Sequence, residues 1–206
     1  MENILDLYEQ PLKPKEPVIC LDEKPIQLLK DVRKVHRRLK PGKIRHRDYE
    51  YARRGTANVF AAVEPLAGKH FAKATENRKA CEFANVLKEI SLKYEDAEKI
   101  HLVVDNLNTH SITSLIKAFG PDEGMLLWKR FTLHYTPKHA SWLNQAEIEL
   151  SMYSRECLGK ERFATMETIK RKTNLWLERI NDEQRKIEWK FTTKRAREKF
   201  KYTLQN

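Results

Sequence analysis

An α/β fold, a mixed sheet with flanking helices, is the fold class that the 206-residue sequence predicts. Three observations lead to it. "VICL" (Val18–Leu21) and "IHLVV" (Ile100–Val104) are almost wholly apolar, the pattern of central strands covered on both faces. Between them, "TANVFAAVEPLAGKHFAKAT" (Thr56–Thr75) reads as two strands about a turn marked by Pro65 and Gly68, an antiparallel hairpin. After the hairpin, helical and strand patterns alternate.

Taken in order, residues 1–17 are expected to be an extended lead-in, because Pro11, Pro14 and Pro17 punctuate them. Val18–Leu21 is the first strand. Lys30–Asp48 has weak periodicity and a "KPGK" turn at Lys40–Lys43, so a basic, partly irregular insertion is expected there. From Glu76 to Tyr94, the residues Ala80, Phe83, Leu87, Ile90 and Tyr94 recur at helical spacing along one face. Ile100–Val104 is a strand and Ser111–Phe119 a short helix. "GPDEG" (Gly120–Gly124) interrupts it, and Met125–Lys129 offers another turn. Phe131–Tyr135 is a strand that stops before Pro137, and helices follow near Trp142–Leu158 and Thr165–Ile180. This places the main domain at 18–183, with a basic helical tail at 184–206.

The net charge of +11 is concentrated in two blocks. Lys30–Arg54 holds eleven Lys/Arg against three acids, and Gln184–Asn206 eight against two. Blocks of this kind point to a polyanion such as DNA, the plainer alternative being two solvated basic faces. Candidate DNA contacts are Arg37, Arg38, Lys40, Lys43, Arg45 and Arg47 in the first block, Lys194, Arg195 and Arg197 in the second, and Lys138 in the loop before the Trp142 helix. The tail also interleaves Trp189, Phe191, Phe200 and Tyr202 with basic residues, which suits a helix docking its aromatics on the core. Cys20, Cys81 and Cys157 are dispersed and form no CxxC pair, against a disulfide framework or a zinc site. No apolar run approaches the ~20 residues that span a bilayer, and "MENILDLYEQ" lacks the features of a signal peptide. A cytoplasmic protein with no membrane partner is expected.

Both central strands end in aspartate: "VICLDEK" delivers Asp22 and "LVVDNLNTH" delivers Asp105. Side by side and parallel, they bring both carboxylates to the carboxyl edge of the sheet, where open α/β sheets place ligands. Two such acids repel unless a cation lies between them, and a hard divalent ion suits an all-oxygen site. Either Asp alone is better explained as a turn former or helix cap, and it is the repetition at two core strands that brings the metal reading level with it. A third acid is sought in "SWLNQAEIELSMYSRECL" (Ser141–Leu158). Its apolar stripe is Leu143, Ala146, Leu150, Tyr153 and Cys157. Glu147 shares one flank with Asn144, Ser151 and Ser154, small groups that leave room for an ion. Glu149 shares the opposite flank with Gln145 and Glu156, expected to be solvated. His110, His134 and His139 are each candidates for a phosphate contact or a loop cap.

Together, "CLDEK", "LVVDNLNTH" and "LHYTPKHASWLNQAEIELS" resemble the signature blocks of DDE transposases of the insertion-sequence-630 family, bacterial relatives of mariner elements. The resemblance implies a ribonuclease-H-like fold over 18–183 and an acidic triad of Asp22, Asp105 and Glu147 that is both catalytic and metal-binding. It also implies two Mg2+ or Mn2+ ions, and cleavage and joining of DNA strands at element ends and target TA dinucleotides. Assembly as a homo-oligomer on DNA in the bacterial nucleoid follows from the same resemblance, as does recognition of the ends by a helix-turn-helix, for which a separate chain is a candidate. The alternatives are a same-fold nuclease that does not join strands and a DNA-binding remnant without chemistry.

Overall fold

The computed structural model describes residues 1–33 and 49–201. Five strands form one sheet in the order β3-β2-β1-β4-β5, namely β1 (Val18–Asp31), β2 (Tyr51–Glu64), β3 (Lys69–Thr75), β4 (Ile100–Val104) and β5 (Phe131–Tyr135). The β1/β2 and β2/β3 pairs are antiparallel, and β1/β4 and β4/β5 are parallel. The sheet is therefore mixed, as the apolar patterns require.

β1 is longer than its apolar run. Past Leu21 it stays paired with β2, and Ile26 and Leu28 continue the alternation. Pro25 falls beyond the last residue paired with β4, on an open edge where a missing N–H costs no ladder bond. The insertion predicted at Lys30–Asp48 mostly falls outside the described residues, and with it Arg37, Arg38, Lys40, Lys43, Arg45 and Arg47.

Alternation along the strands builds two cores. One face (Ile19, Leu21, Phe60, Ala62, Phe71, Leu102, Val104) packs on α2 (Ala80–Lys93), with α3 (Ile112–Phe119) and α4 (Pro121–Trp128) alongside. The other face carries Cys20, Val59, Val63, Ala72 and Val103. It is covered by α5 (Ala146–Tyr153), α6 (Met166–Glu183), α1 (Glu2–Glu9) and the chain leading into α7 (Thr193–Phe200).

Helical segments also differ from expectation, among them α4, which begins at Pro121 inside "GPDEG". Residues 2–9 are a helix, not part of an extended lead-in, because Ile4, Leu5 and Leu7 bury against the Cys20–Val103 face and Ala196 of α7. The expected Trp142–Leu158 helix is three pieces: a 3-10 turn (Ser141–Leu143), α5, and a π-turn (Ser154–Leu158).

β3 is an edge strand whose outer backbone is capped by a side chain. Asn181 of α6 accepts from the His70 N–H at 2.8 Å and donates to the His70 carbonyl at 3.0 Å, taking the place of a neighbouring strand. The β2–β3 turn is fitted to the same helix end. Gly68 has φ +64°, and a Cβ there would lie 2.4 Å from the Gln184 carbonyl oxygen. Gly68→Ala therefore combines left-handed strain with overpacking and is expected to cost about 2–4 kcal/mol in urea denaturation, with the native circular dichroism retained.

Candidate active site

The parallel β1/β4 pairing sets the site. Val18, Ile19 and Cys20 lie opposite His101, Leu102 and Val103. Carried two residues further, the same offset brings Asp22 level with Asp105. Asp22 has the parity of Cys20 and belongs to the face that α5 covers, whereas Asp105 follows the last residue of β4 and its carboxylate meets His110. Glu23, one position on, belongs to the opposite face.

Asn144 stitches α5 to this edge. Its Nδ2 donates to the Leu21 carbonyl at 2.8 Å, and its Oδ1 accepts from Ala146 N–H at 3.2 Å, satisfying an otherwise orphaned donor at the helix start. Glu147 sits in that first turn. Burial, opposed by the Glu23 N–H bond to Oδ1, pushes the Asp22 carboxyl up to about 7, with the charges of Glu23, Glu147 and Asp105 adding to the rise. Asp22 and Glu147 open on a groove of about 500 Å³ shared with Lys24, Ser151 and Arg155.

On the other face, the sequence reading missed Glu23 as a site residue. Among the described residues the group of possible ligand atoms lying within 4.8 Å of one another is Glu23, Asp105 and His110, not the Asp22–Asp105–Glu147 set. His110 Nε2 lies 2.7 Å from Glu23 Oε1, and Nδ1 lies 3.0 Å from the Asp105 carbonyl and 2.7 Å from Asp105 Oδ1. Burial works to lower the pKa of this ring, but the two acids outweigh it and raise it to about 10. His110 is thus a cation between Glu23 and Asp105, and that group is already charge-paired. Adjacent acids in a strand, one per face, were the signal available for Glu23.

Asp105 Oδ1 is buried with no donor in hydrogen-bonding geometry, and its positive neighbour is the His110 ring 2.7 Å away. Asp22, raised by burial and by the charges of Glu23, Glu147 and Asp105, opens with Glu147 on the groove, and a divalent ion such as Mg2+ or Mn2+ fits hard oxygen donors crowded in this way.

The remaining candidates lie elsewhere. Lys138 and His139 are exposed, His139 at φ +64°. His134 pairs with His101 at 3.0 Å and with Asn3 of α1 at 2.7 Å, away from the acids. Lys194 and Arg195 are exposed on α7, whereas Arg197 grips Glu2 through two bonds of 2.7 and 2.9 Å. Glu149 is a correction: it is fully buried, not solvated, because its flank of α5 lies against β3, where His70 meets it. Glu156 leaves that flank for the surface and pairs with Arg179 and Arg185.

Because the His110 pKa is raised on folding, the stability it contributes is complete below about pH 6.5 and is lost as pH rises through about 10. Glu23→Gln leaves the ring with one acid. It is expected to cost about 2–3 kcal/mol at pH 7 and to move that alkaline loss to lower pH, as read by urea denaturation across pH 6–11.

No curated protein is similar to the chain at a significant level. Among solved structures, Mos1 mariner in a paired-end complex with Mg matches with a TM-score of 0.52 at 18% identity, over 88% of this chain and 55% of that one. The Mos1 paired-end complex with Mn gives 0.51 at 14% identity, over 91% and 61%. The Mos1 strand transfer complex gives 0.51 at 16%, over 86% and 51%. The chain thus spans between half and two-thirds of the length of these proteins, and the likeness is one of fold, the ribonuclease-H-like sheet with flanking helices. The family described as DDE superfamily endonuclease matches residues 17–170, which include both aspartates and Glu147, and the chain belongs to that family.

Proposed function

We propose that this chain is the catalytic domain of a transposase of the insertion-sequence-630 type, which cleaves DNA strands and joins element ends to target DNA. The observation that carries the reading is the register of β1 on β4, which levels Asp22 with Asp105 beneath the α5 turn bearing Glu147. Asp22, Asp105 and Glu147 would hold two divalent ions. Bound there, such ions activate water or a DNA 3′-hydroxyl and neutralise charge developing on the phosphate. The protein's own groups orient the strand. Glu147 is exposed to the groove, Ser151 offers a hydroxyl along it, and Lys24 and Arg155 supply positive charge for flanking phosphates. The crystallised relative was captured as Mos1 mariner with Mn, with Mg and in a strand transfer complex, which supports metal-dependent strand transfer as the class of reaction.

The basic block at 30–54, Lys138 and the exposed Lys194 and Arg195 are proposed backbone contacts, with Arg197 engaged by α1. A homo-oligomer on DNA, recognition of the ends by a helix-turn-helix on this or a separate chain, and a place in the bacterial cytoplasm at the nucleoid complete the reading. No helix among the described residues is long and apolar enough to cross a membrane. A nuclease of the same fold that does not join strands is the second reading.

Purified protein is expected to nick duplex DNA carrying element ends with Mg2+ or Mn2+ and not in EDTA. Asp105→Asn and Glu147→Gln should each lose cleavage by at least 100-fold while DNA binding persists. Nicking undiminished in both variants, free of host nucleases, would reject the assignment. Joined products with a pre-cut end separate transposase from simple nuclease.

Metal affinity should also follow pH. A carboxyl held up at about 7 must release its proton to bind an ion, so Mn2+ affinity is expected to rise from pH 6 to pH 8 and level off above. Calorimetry in two buffers of different ionisation enthalpy would count the proton released at pH 6. A flat profile with no proton released would remove Asp22 from the ligand set.

A further inference from the structure

His70 and Glu149 form a pair in which neither side chain has any solvent exposure. Nδ1 of His70 lies 3.0 Å from each Glu149 oxygen, and Nε2 lies 3.0 Å from the Arg185 carbonyl. The ring is held at both nitrogens, and its backbone is held by Asn181. Arg185 in turn reaches Glu156, in the π-turn that continues α5, at 2.6 Å. One edge strand and the residues after α6 therefore grip both the first turn of α5 and its extension.

Stability alone does not call for this pair, since apolar residues of similar volume in place of a buried ionic pair are often neutral or stabilising. Direction is what they would lack. Ala146, Met152 and Tyr153 pack α5 against the sheet, but apolar contact is non-directional and leaves rotation about the helix axis soft. At the ~5–6 Å radius of helix side chains, a turn of ~10° moves a carboxylate by about 1 Å. A magnesium ligand has to stay near ~2.0–2.1 Å from the ion. Glu149 stands two residues after Glu147, so what fixes the azimuth of one fixes the other.

We infer that His70 is a positioning residue: by gripping Glu149 it fixes the rotation of α5, and so the place of Glu147 beside Asp22. The inference rests on the reading of Glu147 as a metal ligand. The test replaces the pair by apolar residues, His70→Leu with Glu149→Met, and follows Mn2+ binding by the paramagnetic signal of the free ion, together with the melting temperature and Mn2+-dependent nicking. The expected result is a melting temperature equal to or above that of the unaltered protein, with Mn2+ bound at least tenfold more weakly. Glu149→Gln keeps an acceptor for Nδ1 and should bind within about threefold of the unaltered protein. If the double variant does not fold, His70→Gln with Glu149→Met, which keeps an amide for the Arg185 carbonyl and removes the partner at position 149, carries the same expectation of a tenfold loss. A folded variant of either kind with unaltered Mn2+ affinity overturns the inference alone. An unaltered protein that binds no Mn2+, or a Glu147→Gln variant that binds it equally well, overturns the reading of Glu147 and this inference with it.

Discussion

Three residues of parallel pairing between β1 and β4 carry much of the architecture. Val18–Cys20 against His101–Val103 is a short ladder, but the side-chain period of two makes its register decisive. A slip of one residue would turn Asp22 away from the α5 face and take it out of level with Asp105. The register is specified because both strands are buried on both sides, with Ile19, Leu102 and Val104 in one core and Cys20 and Val103 in the other. The antiparallel run of β1 on β2 then extends that strand past the site, so that Asp22 sits inside a long strand and not at a frayed end.

Around this edge the acids fall into two kinds. Asp22 and Glu147 open on the groove at the α5 side, and the Asp22 carboxyl is raised first by burial and further by the charges of Glu23, Glu147 and Asp105, the last of them held by His110. Glu23 and Glu149 are the sequence neighbours of two of them, turned away and closed off, each by a buried histidine. His110 braces the β1/β4 side and His70 the α5 side. Glu23 and Glu149 are neutralised internally, and Asp22 and Glu147 face the groove.

The basic composition divides in a similar way. Part of the C-terminal charge is structural: Arg197 holds Glu2, and Thr193 bonds to Asp6 and Glu9, so α7 secures α1 over the Cys20–Val103 face. Lys194 and Arg195 remain on the exposed side of the same helix.

Local sequence determined a good deal of this. Two apolar runs ending in aspartate predicted adjacent central strands, the Pro65–Gly68 turn predicted the hairpin, and small residues on one flank of the third block singled out Glu147 over Glu149 as the groove-facing acid. These are readings of periodicity, and periodicity is local. What the tertiary structure alone decided is which flank of a helix meets a second layer. A helical wheel shows that Glu149 lies opposite Glu147, but its burial depends on His70, far away in the chain on an edge strand. The same holds for α1, whose Ile4, Leu5 and Leu7 are covered only once the C-terminal segment returns, and for Glu23, whose partner His110 comes from the loop after another strand. Sequence pattern specifies which side chains share a face. Burial and charge pairing depend on what the folded chain lays against that face, and those partners are non-local.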